Sequence, residues 1–317
     1  MEFSIASAAR PALIVEPYFS PRLWGSRDLR PFYPDLGNPP EPIGEAWLSA
    51  DRCRLRGEPA TLGEIAAARP EIFGRLPGEP ARGFPLLVKL LFPCDFLSVQ
   101  VHPDDAYARR HGFGIGKTEM WHVLRAEPGA RVGLNLAPGK SLADLAAGCR
   151  QGRSRELLQW WEAAPGDSFF VPAGTVHALG PGLVLCEVQQ ASDTTFRLDD
   201  FGRRDASGQL RELHWEHGLA VARPRTAAGR VGRNAASRGG TLASCEYFHV
   251  EKRVLEGEPA LVPAAFRILV PLAGSVSLAQ RADAPVPLPL AHAAVLPADA
   301  GPWHLAGRGQ VLDVTLP

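Results

Sequence analysis

The stretch that decides the fold reads Gly166-Asp-Ser-Phe-Phe-Val-Pro172-Ala-Gly174-Thr-Val-His177. Apolar residues on both sides of a Pro-x-Gly bend are typical of two strands joined by a turn, because proline fixes φ and glycine accepts positive φ. This geometry presents the imidazole of His177 into a barrel. The stretch therefore predicts a β-rich protein with a histidine inside the barrel.

The same rhythm continues along the chain, where 32 glycines and 30 prolines separate short apolar segments. Such spacing is typical of many short strands rather than of long helices. We predict strands at Leu86–Phe92, Phe96–Val101, Met120–Leu124, Ser168–Val171, Leu183–Gln189, His249–Val254, Phe266–Leu272 and Gln310–Leu316. We predict a few short helices at Leu62–Ala68, around Asp104–Arg110, after a capping box at Ser141 and Asp144, and at Ser154–Ala164.

The 317 residues are more than one compact core usually serves, so we expect two domains. Between residues 222 and 238 the sequence changes to Arg, Ala, Gly and Ser with almost no large apolar side chain. We interpret 222–238 as a linker or exposed loop. It would separate an N-terminal catalytic domain with small helical segments (1–221) from a smaller β domain (239–317).

Charge composition narrows the class of partner. The 34 basic residues equal the 34 acidic ones, which argues against nucleic acid and anionic membranes and favours a small-molecule ligand. Five scattered cysteines without a C-x-x-C pair fit a reducing cytoplasm. The first residues lack a signal-peptide pattern, and no apolar run has the length of a membrane span. We expect a cytoplasmic protein, and the sequence leaves its oligomeric state open.

Four residues make a chemically coherent metal-ligand set: Gln100, His102, Glu119 and His177. On a strand, Gln100 and His102 point the same way because side chains alternate. Imidazole with oxygen ligands suits Zn²⁺, Mn²⁺ or Fe²⁺ and leaves room for water or substrate. Each residue also has an ordinary structural interpretation: a lone histidine is usually a hydrogen-bonded surface residue, and Glu119 could simply pair with Lys117.

Taken together, these pieces resemble the class I mannose-6-phosphate isomerases of the shorter bacterial form, members of the cupin superfamily. The spacing of the opening stretch also matches the second cupin motif, except that Pro181 stands where asparagine is usual. The stretches that carry the family resemblance are Leu23-Trp24-Gly25, Ile43-Gly44-Glu45-Ala-Trp47, Pro85-Leu-Leu-Val-Lys89, Leu97-Ser-Val-Gln-Val-His-Pro-Asp-Asp105, Gly116-Lys-Thr-Glu-Met-Trp121, Val171-Pro-Ala-Gly-Thr-Val-His177 and Glu187-Val-Gln-Gln-Ala-Ser-Asp-Thr-Thr-Phe-Arg197.

The resemblance implies two cupin domains, each a jelly-roll-like β-barrel. It implies one Zn²⁺ per chain, bound by Gln100, His102, Glu119 and His177. The implied substrate is a small sugar phosphate, and the implied reaction interconverts mannose 6-phosphate and fructose 6-phosphate through an enediolate. The active-site residues that the resemblance implies are Lys117, Glu187 and Arg197.

Residue roles follow from the chemistry of proton transfer. A carboxylate must move a proton between C2 and C1, and Glu187 is the candidate; we expect shielding from water to raise its pKa. Lys117 could reach the sugar oxygens, and Arg197 offers a planar charged fork for phosphate or an enediolate oxygen. The alternative places Arg197 at the proton-transfer centre and leaves phosphate binding to other basic residues such as Lys89.

The sequence departs from the family pattern at His122, where Tyr is usual, and at Asp199 and Phe201, where Tyr and Trp are common. We expect His122 to add a titratable group near the metal, and the other two to alter the pocket lining. Two further functions stay open: a cupin oxygenase using Fe²⁺ and a non-catalytic sugar-binding double cupin. The first would normally show His-x-His, and the second could lose Lys117, Glu187 or Arg197, all of which are present.

Overall fold

The computed structural model of the chain describes residues 13–74, 83–205, 207–232, 238–280 and 284–317. The N-terminal residues behind the signal-peptide expectation lie outside these ranges, as do residues 233–237 of the predicted linker. Within the part of the chain that the structure describes, no helix is long and apolar enough to cross a bilayer.

Strands dominate the described residues, so the predicted β-rich class is confirmed. In chain order the strands are β1 (Leu13–Glu16), β2 (Tyr18–Ser26), β3 (Ile43–Ser49), β4 (Arg54–Leu55), β5 (Leu86–Leu91), β6 (Val99–Val101), β7 (Glu119–Ala126), β8 (Arg131–Leu136), β9 (Leu158–Glu162), β10 (Ser168–Val171), β11 (His177–Leu179), β12 (Leu183–Gln190), β13 (Phe196–Asp199), β14 (Gly229–Val231), β15 (Gly240–Ser244), β16 (His249–Val262), β17 (Arg267–Ala279), β18 (Val286–Leu288), β19 (Ala294–Leu296) and β20 (Trp303–Thr315).

Helices are few and short. The α-helices are α1 (Leu62–Ala68), α2 (Asp105–Arg110), α3 (Leu142–Arg150) and α4 (Trp215–Val221), and 3₁₀ turns occupy Pro34–Leu36, Pro70–Ile72 and Ser154–Leu157. Helix α3 begins as predicted, because the Ser141 hydroxyl accepts from the Asp144 N–H and the Asp144 carboxylate accepts from the Ser141 N–H.

The chain divides into two compact units, and both are discontinuous in sequence. One comprises the described residues of Met1–Tyr18, Trp47–Leu86 and Asn234–Pro317, and the other those of Phe19–Ala46 and Leu87–Arg233. Strand β14 lies within the segment that composition assigned to a linker. The predicted domain boundaries at residues 221 and 239 stay a prediction.

The first unit contains an eight-stranded sheet in the order β15-β16-β20-β17-β19-β1-β4, with β18 paired to β17. Its long strands exceed the predicted ones: β16 extends to Val262 and β17 to Ala279. Its apolar core includes Val262, Leu269 and Leu305.

The second unit is built on two antiparallel sheets. A seven-stranded sheet has the order β14-β10-β7-β12-β5-β3-β2, and a five-stranded sheet the order β13-β6-β11-β8-β9. Apolar side chains such as Trp121, Leu134 and Phe169 fill one cluster of its core. Because alternate residues of each strand face inward, both sheets can also direct polar side chains into the same interior.

One predicted helix, Ser154–Ala164, is wrong. Its first turn is the 3₁₀ turn Ser154–Leu157, and the remainder forms strand β9, which pairs with β8 in the register Val132↔Trp161. The Arg131 guanidinium lies 4.6 Å from the centre of the Trp160 ring. Pairing with a neighbouring strand and aromatic packing override the helical spacing here, since propensity is a weaker term than tertiary contact.

Candidate metal centre and cavity

Three of the four predicted ligands meet inside the second unit. The two oxygens of Glu119 each lie 3.5 Å from a histidine, Oε1 from His177 Nε2 and Oε2 from His102 Nε2. One ligand atom from each of the three residues lies within 4.8 Å of the others. All three side chains are at most 2% exposed. Residues separated by 75 positions in sequence therefore share one buried point, since His102 follows β6 and His177 begins β11.

The hydrogen bonds around the two imidazoles suit metal binding. His102 Nδ1 lies 2.9 Å from the Thr194 carbonyl oxygen, and His177 Nδ1 lies 2.9 Å from that of Thr175. Each Nδ1–H therefore donates to a carbonyl, which leaves each Nε2 unprotonated at 3.5 Å from a Glu119 oxygen. This arrangement fixes the ring orientation of metal-binding histidines.

Burial keeps both rings neutral. It lowers the pKa of His177 to about 4 and the pKa of His102 well below its usual value. Among the described residues, His102 Nε2 and both Glu119 oxygens have no hydrogen-bond partner, although Lys117 Nζ lies 3.5 Å from Glu119 Oε2. Unsatisfied buried acceptors that converge in this way fit a divalent cation.

Glu119 carries a second indication of a missing positive charge. Burial and the nearby charge of Glu187 raise the pKa of Glu119 well above its usual value, and Lys117 offsets this only in part. A buried carboxylate without enough compensating charge is costly, and a bound cation removes that cost. The donor set of two neutral imidazoles and one carboxylate therefore fits a metal ion.

Gln100 lies beside this cluster. It stands directly opposite His177 in the β6–β11 ladder, and opposite Arg197 in the β6–β13 ladder. Its amide Nε2 lies 3.1 Å from His177 Nε2, and its Oε1 accepts a hydrogen bond from Ser98 Oγ at 3.0 Å. The structure thus brings the fourth predicted ligand to the site with its amide nitrogen toward His177.

The proposed acid–base carboxylate, Glu187, lies on the seven-stranded sheet, as Glu119 does. Glu187 on β12 stands opposite Trp121 on β7, two positions from Glu119. Its Oε1 accepts a hydrogen bond from Trp121 Nε1 at 2.9 Å, and its Oε2 lies 2.9 Å from Lys89 Nζ. Both oxygens are therefore held in place.

The expectation that shielding raises the pKa of Glu187 is wrong. Burial does oppose ionisation, but the charges of Lys89 and Lys117 outweigh it and lower the pKa to about 2. Glu187 is consequently an ionised carboxylate at neutral pH. Sequence could not show this, because the result depends on two lysines being within reach of one buried carboxylate.

A cavity of about 280 Å³ adjoins these side chains, and every residue lining it belongs to the second unit. This volume lies near the lower end of the range for ligand cavities, roughly 300–1,000 Å³, and suits a single small ligand. Its charged lining is Arg22, Glu45, Lys89, Lys117, Glu187, Asp193, Arg197 and Arg211. All three predicted active-site residues therefore face one space, together with Lys89 and Gln100.

Arg197 extends into this cavity from β13. Its Nη1 donates to the Glu212 carbonyl at 2.7 Å. Burial, together with the nearby charge of Arg211, lowers the pKa of Arg197 to about 10, so the guanidinium stays charged at neutral pH. Asp200 accepts from Arg203 and Arg211, so two guanidinium groups share this carboxylate close to Arg197.

Several residues that line the cavity were not predicted from the sequence. Trp24 and Glu45 lie inside motifs that carried the family resemblance but received no role, whereas Arg22 and Arg211 stood in no motif. A charged residue inside a buried strand, as Glu45 is in β3, was the available signal. Nothing in the local sequence marks Arg211.

The three departures from the family pattern do not line the cavity. His122 alternates onto the face of β7 opposite to Glu119 and Trp121, where its Nδ1 lies 2.8 Å from Ser168 Oγ. Asp199 accepts from Ser154 Oγ and from the Phe201 N–H. The expectation that His122 adds a titratable group beside the metal ligands and that Asp199 and Phe201 reshape the pocket is therefore wrong.

Two β-sheets enclosing a His–Glu–His cluster that fits a metal ion define this chain as a metal-site cupin. No family model matches the chain. It is 36% identical over 265 residues to mannose-6-phosphate isomerase ManA of Bacillus subtilis (strain 168), an alignment that spans 78% of this chain and 81% of the relative. The chain belongs to the mannose-6-phosphate isomerase family.

Solved structures agree with that assignment. The crystal structure of the mannose 6-phosphate isomerase from Bacillus subtilis is 30% identical, with a TM-score of 0.85 over 96% of this chain and 99% of the other. A mannose 6-phosphate isomerase solved with zinc and yttrium is 18% identical, with a TM-score of 0.73 over 96% of this chain and 99% of the other. The second likeness concerns the fold alone.

Proposed function

We propose that this chain interconverts mannose 6-phosphate and fructose 6-phosphate. The observation that carries the proposal is the common cavity, because Lys117, Glu187 and Arg197 all face it beside the His102–Glu119–His177 cluster. The relatives are named as mannose-6-phosphate isomerases, which agrees with mannose 6-phosphate as the aldose. A non-catalytic sugar-binding cupin would have no need for an ionised carboxylate and two lysines at such a site.

The proposed metal is one Zn²⁺ per chain, held by His102, Glu119 and His177. We propose Gln100 as the fourth ligand through its amide oxygen, which a half-turn of the amide would exchange with Nε2. Mixed imidazole and oxygen ligands suit zinc, and a like-folded isomerase was solved with zinc. When bound, such an ion supplies Lewis-acid polarisation of the sugar oxygens.

Glu187 is the proposed base. From aldose to ketose, one of its carboxylate oxygens takes the proton on C2 and returns it to C1, while the proton on O2 passes to O1. Trp121 and Lys89 hold the two carboxylate oxygens, so the carboxylate is oriented before substrate binds. Lys117 lines the cavity with its Nζ 3.5 Å from Glu119 Oε2, and we propose that its ammonium donates to a sugar oxygen.

Phosphate binding is assigned to Arg197, whose planar fork suits a phosphate group. Arg211 lines the same cavity and adds positive charge beside it. The alternative, with Arg197 at the proton-transfer centre, leaves the phosphate to Lys89. Lys89 Nζ already lies between two carboxylates, which favours the first assignment. We also propose a cytoplasmic location, on the cysteine pattern of the sequence.

A coupled assay of fructose 6-phosphate formation tests the proposal. We expect turnover that stops with a chelator and returns with zinc. His177→Ala should lose metal and turnover together, whereas Arg197→Ala should keep its metal while kcat/KM falls roughly 100-fold or more. Zinc-loaded protein without turnover would contradict the isomerase proposal, and full metal content in His177→Ala would contradict the ligand assignment.

A further inference from the structure

A chain of alternating charges runs along one wall of the cavity. Lys89 Nζ lies 2.9 Å from Glu187 Oε2 and 3.4 Å from Glu45 Oε1. The other oxygen of Glu45 accepts from Arg22 Nη2 at 2.8 Å. The order is therefore Arg22, Glu45, Lys89 and Glu187, and all four residues line the same cavity.

The central side chains in this chain of charges are buried. The Lys89 side chain is 3% exposed and that of Glu45 is 7% exposed, while that of Arg22 is 31% exposed. A buried ammonium requires acceptors, and two carboxylates on different strands provide them here: Glu45 on β3 and Glu187 on β12. Strand β5, which carries Lys89, lies between β3 and β12 in the sheet. The three side chains thus come from three adjacent strands.

A lysine ammonium sits on a flexible four-carbon stem, so a single acceptor does not fix its position. Two acceptors on different strands fix the position of the Lys89 ammonium. Once Lys89 is fixed, Glu187 is held at both oxygens, by a hydrogen bond from Trp121 Nε1 to Oε1 and by the ion pair of Lys89 Nζ with Oε2. The orientation of the Glu187 carboxylate then depends on Glu45 through Lys89.

We propose that Glu45 is a positioning residue: it holds the Lys89 ammonium and, through Lys89, orients the Glu187 carboxylate for proton transfer. The proposal rests on the isomerase function proposed above. It also gives Lys89 a role toward Glu187 instead of toward the substrate. A shift of about 1 Å in a catalytic group can reduce rate by roughly 100-fold, so this indirect contact has a measurable consequence.

The variant Glu45→Leu removes both acceptor oxygens at similar volume, and Glu45→Gln keeps one oxygen acceptor without the charge. We expect Glu45→Leu to lower kcat by roughly 10- to 100-fold, with KM changed less than about threefold. Glu45→Gln should lower kcat by a smaller factor. Both variants should retain the zinc content of the wild type, because Glu45 is not a proposed ligand.

Lys89→Met distinguishes positioning through Lys89 from a separate effect of Glu45. If Glu45 acts through Lys89, then adding Glu45→Leu to Lys89→Met changes kcat by less than about twofold, as expected for residues that act in series. The matched control is Asp313→Asn. Asp313 is a buried carboxylate that bridges Arg253 and Arg267 outside the cavity, so its loss should reduce stability and leave kcat and KM unchanged.

Wild-type kcat in Glu45→Leu would overturn the proposal, and so would equal losses in the wild-type and Lys89→Met backgrounds. If Glu45→Leu does not fold, Glu45→Gln carries the same comparison in both backgrounds. A crystal structure of either variant gives a readout independent of activity, since we expect Lys89 Nζ to move relative to Glu187 Oε2. Absence of turnover in the zinc-loaded wild type would instead count against the isomerase function itself.

Discussion

The protein alone holds His102 and His177 in the orientation and charge state that metal binding would require. Their Nδ1 atoms are occupied by the carbonyls of Thr194 and Thr175, and burial keeps the rings neutral. A metal ion therefore does not have to displace a proton from either ring at neutral pH. Both histidines are identifiable from the sequence. The carbonyl of Thr175 lies only two residues before His177, whereas the carbonyl of Thr194 reaches His102 across 92 positions and follows only from the tertiary structure.

The cysteines differ sharply in environment, and this predicts their reactivity. Cys94 is exposed and Cys245 is half-buried, whereas the other three are buried. Burial raises the pKa of Cys53 and of Cys149 to about 12 and also raises the pKa of Cys186. Because the thiolate is the reactive form, we expect a thiol reagent at pH 8 to modify Cys94 first and the buried three only on unfolding.

The measurement is the number and rate of reacting thiols in the native protein and in denaturant. Cys94→Ser is the control and should remove the fast phase. A fast phase that persists in this variant, or that accounts for several thiols, would contradict the burial described here.

At the scale of elements, the sequence predicted a helix correctly where contacts between near neighbours determine the backbone. The capping box at Ser141 predicted the start of α3, and the range predicted for α1 agrees with Leu62–Ala68. The helix predicted at Ser154–Ala164 was wrong because the structure of that segment depends on pairing with β8. A cap is a contact between residues three apart, whereas a ladder depends on a strand elsewhere in the chain.

Two glycines with nearly equal φ angles allow a test of packing within the β-sheet. Gly274 on β17 has φ +78° and Gly57 has φ +79°. A Cβ at Gly274 would overlap the Arg308 carbonyl oxygen, whereas a Cβ at Gly57 would meet nothing within 4 Å. We expect Gly57→Ala to lower the free energy of unfolding by about 1–2 kcal/mol from backbone strain, and Gly274→Ala by about 1–3 kcal/mol more.

Denaturant unfolding of the two variants measures this difference. Equal losses would mean that the β17–β20 ladder relaxes around the added methyl group. A larger loss for Gly57→Ala would contradict the close approach of Gly274 to β20.

At the scale of the whole molecule, the proposed metal centre would link folding to metal binding. The three converging ligands come from different strands or their ends, so an ion bound between them stabilises the folded chain and not the unfolded one. Ligand linkage at 1,000 times the dissociation constant contributes about 4 kcal/mol. We expect chelation to lower the unfolding temperature of the wild type.

Thermal unfolding with and without chelator measures this effect. His177→Ala serves as the control, because a chain that does not hold the ion should show the same unfolding temperature in both conditions. A wild-type unfolding temperature that does not respond to chelator, in protein shown to contain zinc, would contradict the proposed coupling.

The sequence by itself determined the β-rich class, the family resemblance and the identity of the candidate site residues. These properties are local: turn residues, alternation along strands and the spacing of motifs are all readable from neighbours in the chain. Gln100, His102, Glu119 and His177 were therefore named in advance, as were Lys117, Glu187 and Arg197.

Only the tertiary structure decided how these residues act on one another. It placed Lys89 between Glu45 and Glu187, lowered the pKa of Glu187 where shielding had been expected to raise it, and turned His122 away from the metal ligands. Electrostatic interactions depend on distance and burial in space, and strands far apart in sequence set both. Residue types can be read along the chain, but which charges face each other is fixed only when the sheets assemble.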